Sequence, residues 1–157
     1  MGTETTKRSN LEMSIINYRY CQLNAEAHKQ PLDYGTGELY SSAEVHSVLR
    51  IAEAPGITVT EISHLGGRTK SAVSQIVTRL ENRGLVVRKK GPNRGVGLFV
   101  TDKGQALCDA YSAYIEQKMP PLMERYVERF GQEAMDAFYS IMESMIKEQI
   151  DAINQEN

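Results

Sequence analysis

Two closely spaced helix signals and a following strand–turn–strand pattern occupy residues 58–101, and this order constrains the fold more than any other feature. Thr58 and Glu61 have the spacing of a capping box, which opens a short helix that a glycine pair ends. Thr69 can cap a second, longer helix that runs to about Arg83. A short helix, a glycine turn and a longer helix together predict a helix-turn-helix.

A basic β-hairpin is predicted directly after this unit. The runs 85–90 and 96–101 are rich in β-branched residues, and the stretch 91–95 between them is made of turn residues. The helix-turn-helix and this hairpin together make a winged helix-turn-helix. We therefore expect a mainly α fold (α+β) with a two-stranded wing.

Helical patterns flank the winged unit on both sides. The segment 11–29 has apolar residues at helical spacing, a capping box at Ser41–Glu44 opens another helix, and Pro120-Pro121 must break the helix that follows the wing. The last helix, after Gly131, carries a wide apolar stripe that a symmetric partner would bury. We expect one domain, 1–157, with three parts: an N-terminal dimerisation helix and loop at 9–40, a DNA-binding lobe at 41–104, and C-terminal dimerisation helices at 105–157.

The longer helix of the predicted unit has two chemically different faces. Val73, Ile76, Val77 and Leu80 form an apolar side that can dock it on the core. The other side carries hydroxyls, an amide and bases without any acid, which suits base edges and phosphates. The predicted DNA-binding residues on this helix and the wing are Thr69, Lys70, Ser71, Ser74, Gln75, Thr78, Arg79, Lys89, Lys90 and Arg94.

Charge is distributed unevenly along the chain. Residues 58–104 contain nine Lys and Arg against three Asp and Glu, a balance of +6, whereas the whole chain has a net charge of −2. A local positive field attracts a polyanion, although a solvated basic face is the simpler alternative. A nonspecific architectural DNA-binding protein, the alternative from another class, would usually be basic over its whole length.

Four stretches resemble the MarR family of bacterial transcription regulators: VTEIS at 59–63, TKSAVSQIVTRLE at 69–81, GLV at 84–86 and VTDKG at 100–104. The resemblance implies a homodimer with interlocked terminal helices that places two reading helices on a palindromic double-stranded DNA operator. It also implies an effector-responsive regulator, expected to be a repressor, that leaves DNA when the spacing of its reading helices changes.

The wing shows one departure from the family pattern. By position, Arg94 matches the wing-tip arginine of the family. Two residues earlier, where the family usually has an acid, this chain has Pro92. The salt bridge that usually steadies this arginine is therefore not implied here.

Tyr18, Cys21 and His46 are the candidate residues of an effector pocket between the first, second and post-wing helices. The resemblance leaves open a redox-responsive regulator acting through Cys21 or a metal-responsive one acting through His46. Metal binding needs three or four converging ligands, and no histidine follows the wing to complete such a set. A packed thiol and a hydrogen-bonded histidine are the simpler interpretations, so we expect no metal and no cofactor.

Sequence signatures of common enzymes are missing from the chain. HExxH, GxSxG, Walker and GxGxxG motifs do not occur, so we predict no enzyme and no catalytic residues. Two cysteines outside any CxxC pair suit a reducing compartment. With no secretory signal and no apolar run long enough for a membrane helix, we expect a cytoplasmic protein without membrane contact.

Overall fold

The structure, a computed structural model, is a mainly α fold with two small antiparallel ribbons. It describes residues 12, 15–16, 18–23, 26, 29–66, 68–90 and 95–155. The described residues between 12 and 26 are helical and are called α1. The further elements are β1 (Leu32–Asp33), β2 (Leu39–Tyr40), α2 (Ser42–Glu53), α3 (Val59–Gly66), α4 (Lys70–Asn82), β3 (Val86–Lys90), β4 (Val96–Val100), α5 (Asp102–Lys118), α6 (Pro120–Phe130) and α7 (Gln132–Gln155).

The helix-turn-helix and its wing are confirmed: α3 and α4 form the former, and β3 and β4 the latter. All four predicted apolar residues of α4 are buried, and they pack with side chains of α2 and the wing in one core. Ile51 of α2 is also fully buried in that core, whereas Leu65 of α3 is 38% exposed. The fully buried residues of this core include Val45, Val48, Ile51, Val77, Leu80, Leu85 and Leu98.

Side chains cap the helix starts where the sequence predicts caps. Ser41 and Glu44 form the complete capping box of α2. Thr58 and Glu61 do the same for α3, because the Glu61 carboxylate accepts from the Thr58 backbone N–H at 2.7 Å while the Glu61 N–H donates to Thr58 Oγ1. The Thr69 hydroxyl accepts from the Ala72 N–H at 3.2 Å and opens α4. These bonds set the start of each helix.

The wing is joined to the helix-turn-helix through backbone contacts. Strands β3 and β4 pair from Val86 opposite Val100 to Lys90 opposite Val96. On its other side β4 contacts the turn after α2, where the Gly56 N–H donates to the Leu98 carbonyl at 2.8 Å. A Cβ on Gly97 would lie 2.6 Å from the Gly56 carbonyl oxygen, so only glycine fits this approach.

A short ribbon, β1–β2, precedes α2 and replaces the plain loop that the sequence suggests. The Asp33 carboxylate accepts from the backbone N–H groups of Gly35, Thr36 and Gly37, and these bonds lower the pKa of Asp33. The glycines at 35 and 37 have positive φ, which closes the turn. The ribbon places Glu38 and Tyr40 against the end of α4.

The C-terminal third is two long helices separated by a short one. Met119 lies alone between α5 and α6, and the proline pair follows it at the start of α6, which confirms the predicted break. Most of the apolar side chains on α7 are exposed in the single chain: Phe138, Tyr139, Ile141, Met142, Met145, Ile146 and Ile150. Within the described ranges, no helix has the length and apolar character to cross a membrane.

Candidate nucleic-acid interface

The polar face of α4 forms a shallow open groove. Its lining residues are Ser71, Ser74, Gln75, Thr78 and Arg79, five of the predicted DNA-binding residues. Thr69 and Lys70 are exposed at the start of the same helix. We call these seven residues the reading face. It presents hydroxyls, an amide and cations to solvent while the opposite side of α4 is buried.

One hydroxyl of the reading face is already engaged with the helix backbone. Thr78 Oγ1 donates to the Ser74 carbonyl at 2.9 Å. Its proton is therefore used within the helix, and its oxygen remains an acceptor for a base amino group.

The exposed end of β3 carries further cations. Lys89 and Lys90 are exposed, and Lys89 Nζ lies 5.7 Å from the ring centre of Phe99. Arg88 Nε donates to Glu81 at 3.0 Å, so the root of the wing is tied to the end of α4 by an ion pair. Arg94 and Pro92 lie outside the described residues, so the predicted wing tip stays a prediction.

A chain of alternating charges runs behind the reading face, and sequence analysis missed it. Lys103 Nζ contacts Glu38 at 2.7 Å, Arg83 bridges Glu38 at 3.0 Å and Glu44 at 3.4 Å, and Arg79 Nε lies 4.0 Å from Glu44. We call these five residues the charge chain. Its members are up to 65 positions apart in sequence. Local patterns mark Arg79 on the polar face of α4 and Glu44 in its capping box, but no local pattern predicts that these residues meet.

Hydrogen bonds shift the acid–base properties of this charge chain. The bonds from Lys103, Arg83 and Tyr40 lower the pKa of Glu38 to about 2. Burial alone would raise the pKa of Glu44, but the bonds from Ser41 and the Arg83 charge outweigh it, so the net shift is downward. Both carboxylates are therefore ionised at neutral pH. The Arg83 guanidinium also stacks 3.9 Å from the ring centre of Tyr40, which fixes it on the ribbon.

His46, from the predicted effector pocket, belongs to an aromatic cluster behind α2. Its two ring nitrogens lie 3.1 Å from Ser42 Oγ and 3.2 Å from the Tyr111 hydroxyl. Tyr34, which is buried, packs edge-on against Tyr111 and Tyr114. We call Tyr34, His46, Tyr111 and Tyr114 the aromatic cluster.

The other two predicted pocket residues lie on α1. Tyr18 is exposed and its hydroxyl accepts from Gln22 at 2.6 Å, while Cys21 is also exposed. A surface depression on this helix is lined by Arg19, Gln22, Leu23, Glu26 and Lys29, with neither Tyr18 nor Cys21 among its lining residues. The second thiol, Cys108, is buried, and burial raises its pKa. In the described part of the chain no three His, Cys, Asp or Glu side chains come together in a way that would hold a metal ion.

Part of the chain is similar in sequence to a known family. The sequence model of the MarR family matches residues 43–95, which run from α2 into the wing. No curated protein sequence matches this chain with significance.

Solved structures share the fold over most of the chain. A MarR family transcription regulator has a TM-score of 0.66 at 18% identity, over 96% of this chain and 97% of its own. FabT of Streptococcus pneumoniae, solved with DNA, has a TM-score of 0.59 at 18% identity, over 94% and 99%. The transcriptional repressor CouR, bound to p-coumaroyl-CoA, has a TM-score of 0.60 at 23% identity, over 82% and 89%. At these identities the likeness establishes the common fold.

Proposed function

With a MarR-family sequence at residues 43–95 and the fold of MarR-family structures, this chain belongs to the MarR family, and we propose that it is a sequence-specific, DNA-binding transcription regulator. In this proposal it acts in the cytoplasm as an effector-responsive repressor. The observation that carries the proposal is the reading face: one side of α4 is wholly polar or basic and open to solvent, while the other side is buried. A helix held in this way can enter a major groove without losing its contacts to the core.

We propose that two copies of the chain bind a palindromic operator. The support is the large apolar area that a single chain leaves exposed on its terminal helices, including Ile16, Tyr20 and Leu23 on α1 and Phe138 and Ile146 on α7. Exposed apolar patches of this kind mark protein interfaces. The division into a DNA-binding lobe at 41–104 and dimerisation segments at 9–40 and 105–157 is part of the proposal.

Selection of duplexes from a randomised pool, followed by titration, tests both parts of this function. We expect the recovered sites to contain two inverted half-sites about 10 base pairs apart, because paired reading helices sit about 34–36 Å apart on one face of DNA. A scrambled duplex of the same composition is the control. Recovery of no shared sequence, with equal affinity for both duplexes, would favour the nonspecific architectural alternative.

The predicted wing-tip residue, Arg94, should contribute to the salt dependence of DNA affinity in such titrations. Arg94 should contact the DNA backbone in the minor groove, so Arg94→Ala should weaken binding to every duplex and reduce the slope of log affinity against log salt by about 0.9 per lost phosphate contact. Titrations from low to moderate salt measure this slope. An unchanged slope would remove the wing tip from the interface.

We propose a small aromatic molecule as effector, held beside the aromatic cluster. The support is the wall made by Tyr34, Tyr111 and His46, together with the aromatic acyl group of the p-coumaroyl-CoA that CouR binds. Release of the selected duplex by an aromatic acid in the wild-type protein, and no release from a Tyr111→Ala variant that still binds DNA, is the expected result. Equal release from both proteins would place the effector elsewhere.

The redox alternative rests on Cys21, which is the exposed thiol of the two. Peroxide should then release DNA from the wild-type protein and leave Cys21→Ser bound. Equal release from both proteins would end this alternative.

A further inference from the structure

Glu44 belongs to the capping box of α2 and also faces Arg79 of the reading face, and its two oxygens have separate partners. Oε2 accepts from the Ser41 N–H at 2.9 Å and from the Ser41 hydroxyl at 2.7 Å. Oε1 lies 3.4 Å from Arg83 Nη1 and 4.0 Å from Arg79 Nε. The cap therefore holds one oxygen, and the other is directed toward the two arginines.

The carboxylate is rigid and shielded, whereas the arginine it faces is open. The side chain of Glu44 is 11% exposed and that of Arg79 is 55% exposed. Arg79 also lines the groove of the reading face together with Ser71, Ser74, Gln75 and Thr78. One edge of its guanidinium thus faces a fixed protein anion, and the rest of the group is open to the groove.

A guanidinium contacts DNA best when its orientation is set in advance. Arginine presents donors in a planar fork, and a carboxylate on the Nε side leaves the Nη atoms free for a second partner. An ion pair this long and this exposed contributes little to folding stability. The effect of the ion pair is instead to restrict the side-chain rotamers that Arg79 adopts toward the groove.

We propose that Glu44 is a specificity-determining positioning residue, which orients the Arg79 guanidinium toward the operator. This inference rests on the DNA-binding function proposed above. An oriented Arg79 helps only the complex in which α4 has its correct register, since its fork must meet one defined acceptor on the DNA. An unrestrained Arg79 reaches phosphates of any duplex, and loss of the carboxylate also removes a negative charge from the interface. Glu44 therefore favours operator over random DNA.

The test compares affinities for two duplexes, one selected from a randomised pool by the wild-type chain and one scrambled. We expect Glu44→Gln to lower the ratio of selected to scrambled affinity by about threefold to tenfold, within the range of coupling between neighbouring residues. Affinity for the scrambled duplex should stay the same or rise. In an Arg79→Ala background the same substitution should leave the ratio unchanged, because the group that Glu44 orients is then missing.

Ser41→Ala is the matched control, since it removes the hydroxyl of the same capping box but keeps the Glu44 charge and the bond at 2.9 Å from the Ser41 backbone N–H to Oε2, which holds the carboxylate in place. It should leave the ratio at the wild-type value, because a loss of folded protein lowers both affinities equally. If Glu44→Gln does not fold, Glu44→Asp, which withdraws the carboxylate by one methylene, should lower the ratio in the same way. An unchanged ratio of selected to scrambled affinity in the Glu44 variant would overturn the inference. So would an equal fall of this ratio in Ser41→Ala, or an equal fall on substituting Glu44 in the Arg79→Ala background. Failure of the wild-type chain to prefer any duplex would instead contradict the proposed function itself.

Discussion

Gln75 lies near the middle of the reading face, one helical turn before Arg79 and exposed to solvent. A glutamine amide can donate to and accept from an adenine edge at once, so Gln75→Ala should change the preferred base at one position of each half-site. The loss should be about 1–3 kcal/mol on the original site. Repeating the duplex selection with the variant measures the change. Recovery of the original motif would remove Gln75 from base reading.

Glu38 makes the folding stability depend on pH in the acid range. Its pKa is about 2 in the folded chain against 4.5 as an ordinary value, so folding favours its charged form. Its contribution is therefore fully present above pH 4.5 and is lost as the pH falls from 4.5 toward 2. Urea unfolding of wild-type and Glu38→Gln chains across this range should show a smaller loss of stability in the variant. Asp33, Glu44 and Glu61 have lowered pKa values in both chains, so the difference between the two curves isolates Glu38. Parallel curves would contradict the prediction.

At the scale of the elements, the position of the wing depends on one close backbone approach. Gly97→Ala would place a methyl group 2.6 Å from the Gly56 carbonyl oxygen, so strand β4 must move away from the turn after α2. The free energy of unfolding should fall by about 1–3 kcal/mol, as for other overpacked sites. Gly95→Ala is the matched control, because a Cβ there meets nothing within 4 Å. Equal melting temperatures for both variants would show that the wing root tolerates the shift.

Sequence reasoning recovered the elements that local chemistry determines. Residues within one or two helical turns of each other predict the capping boxes at Ser41 and Thr58, the cap at Thr69 and the apolar stripe of α4. The charge chain could not be found in this way, because Glu38 and Arg83 are 45 positions apart and meet only after the ribbon folds against α4. The two-residue strands of that ribbon are too short to leave a periodic pattern. Hence the reading face was predictable from the sequence, and the residues that orient it were not.

At the scale of the whole molecule, the exposed apolar stripe of α7 should control assembly. Ile146→Lys would put a charge into this stripe, so we expect the dissociation constant of the proposed dimer to rise by about 30-fold or more. Ser144→Lys adds the same charge on the opposite side of the helix and should leave assembly unchanged. Sedimentation across a concentration series measures both variants. Equal dissociation of the two would show that α7 is not the interface.

Met119, at the joint between α5 and α6, affects how a movement of the terminal helices reaches the wing. It keeps helical dihedral angles and its N–H still donates to the Ile115 carbonyl at 2.8 Å, so α5 continues to its last turn before the proline pair. With 17 residues, α5 is a stiff rod of about 25 Å that begins at the base of the wing and ends at this joint. A tilt of about 5° at the joint moves its far end by about 2 Å, by the same geometry. A slight repacking of the terminal helices would thus act as a lever on the wing.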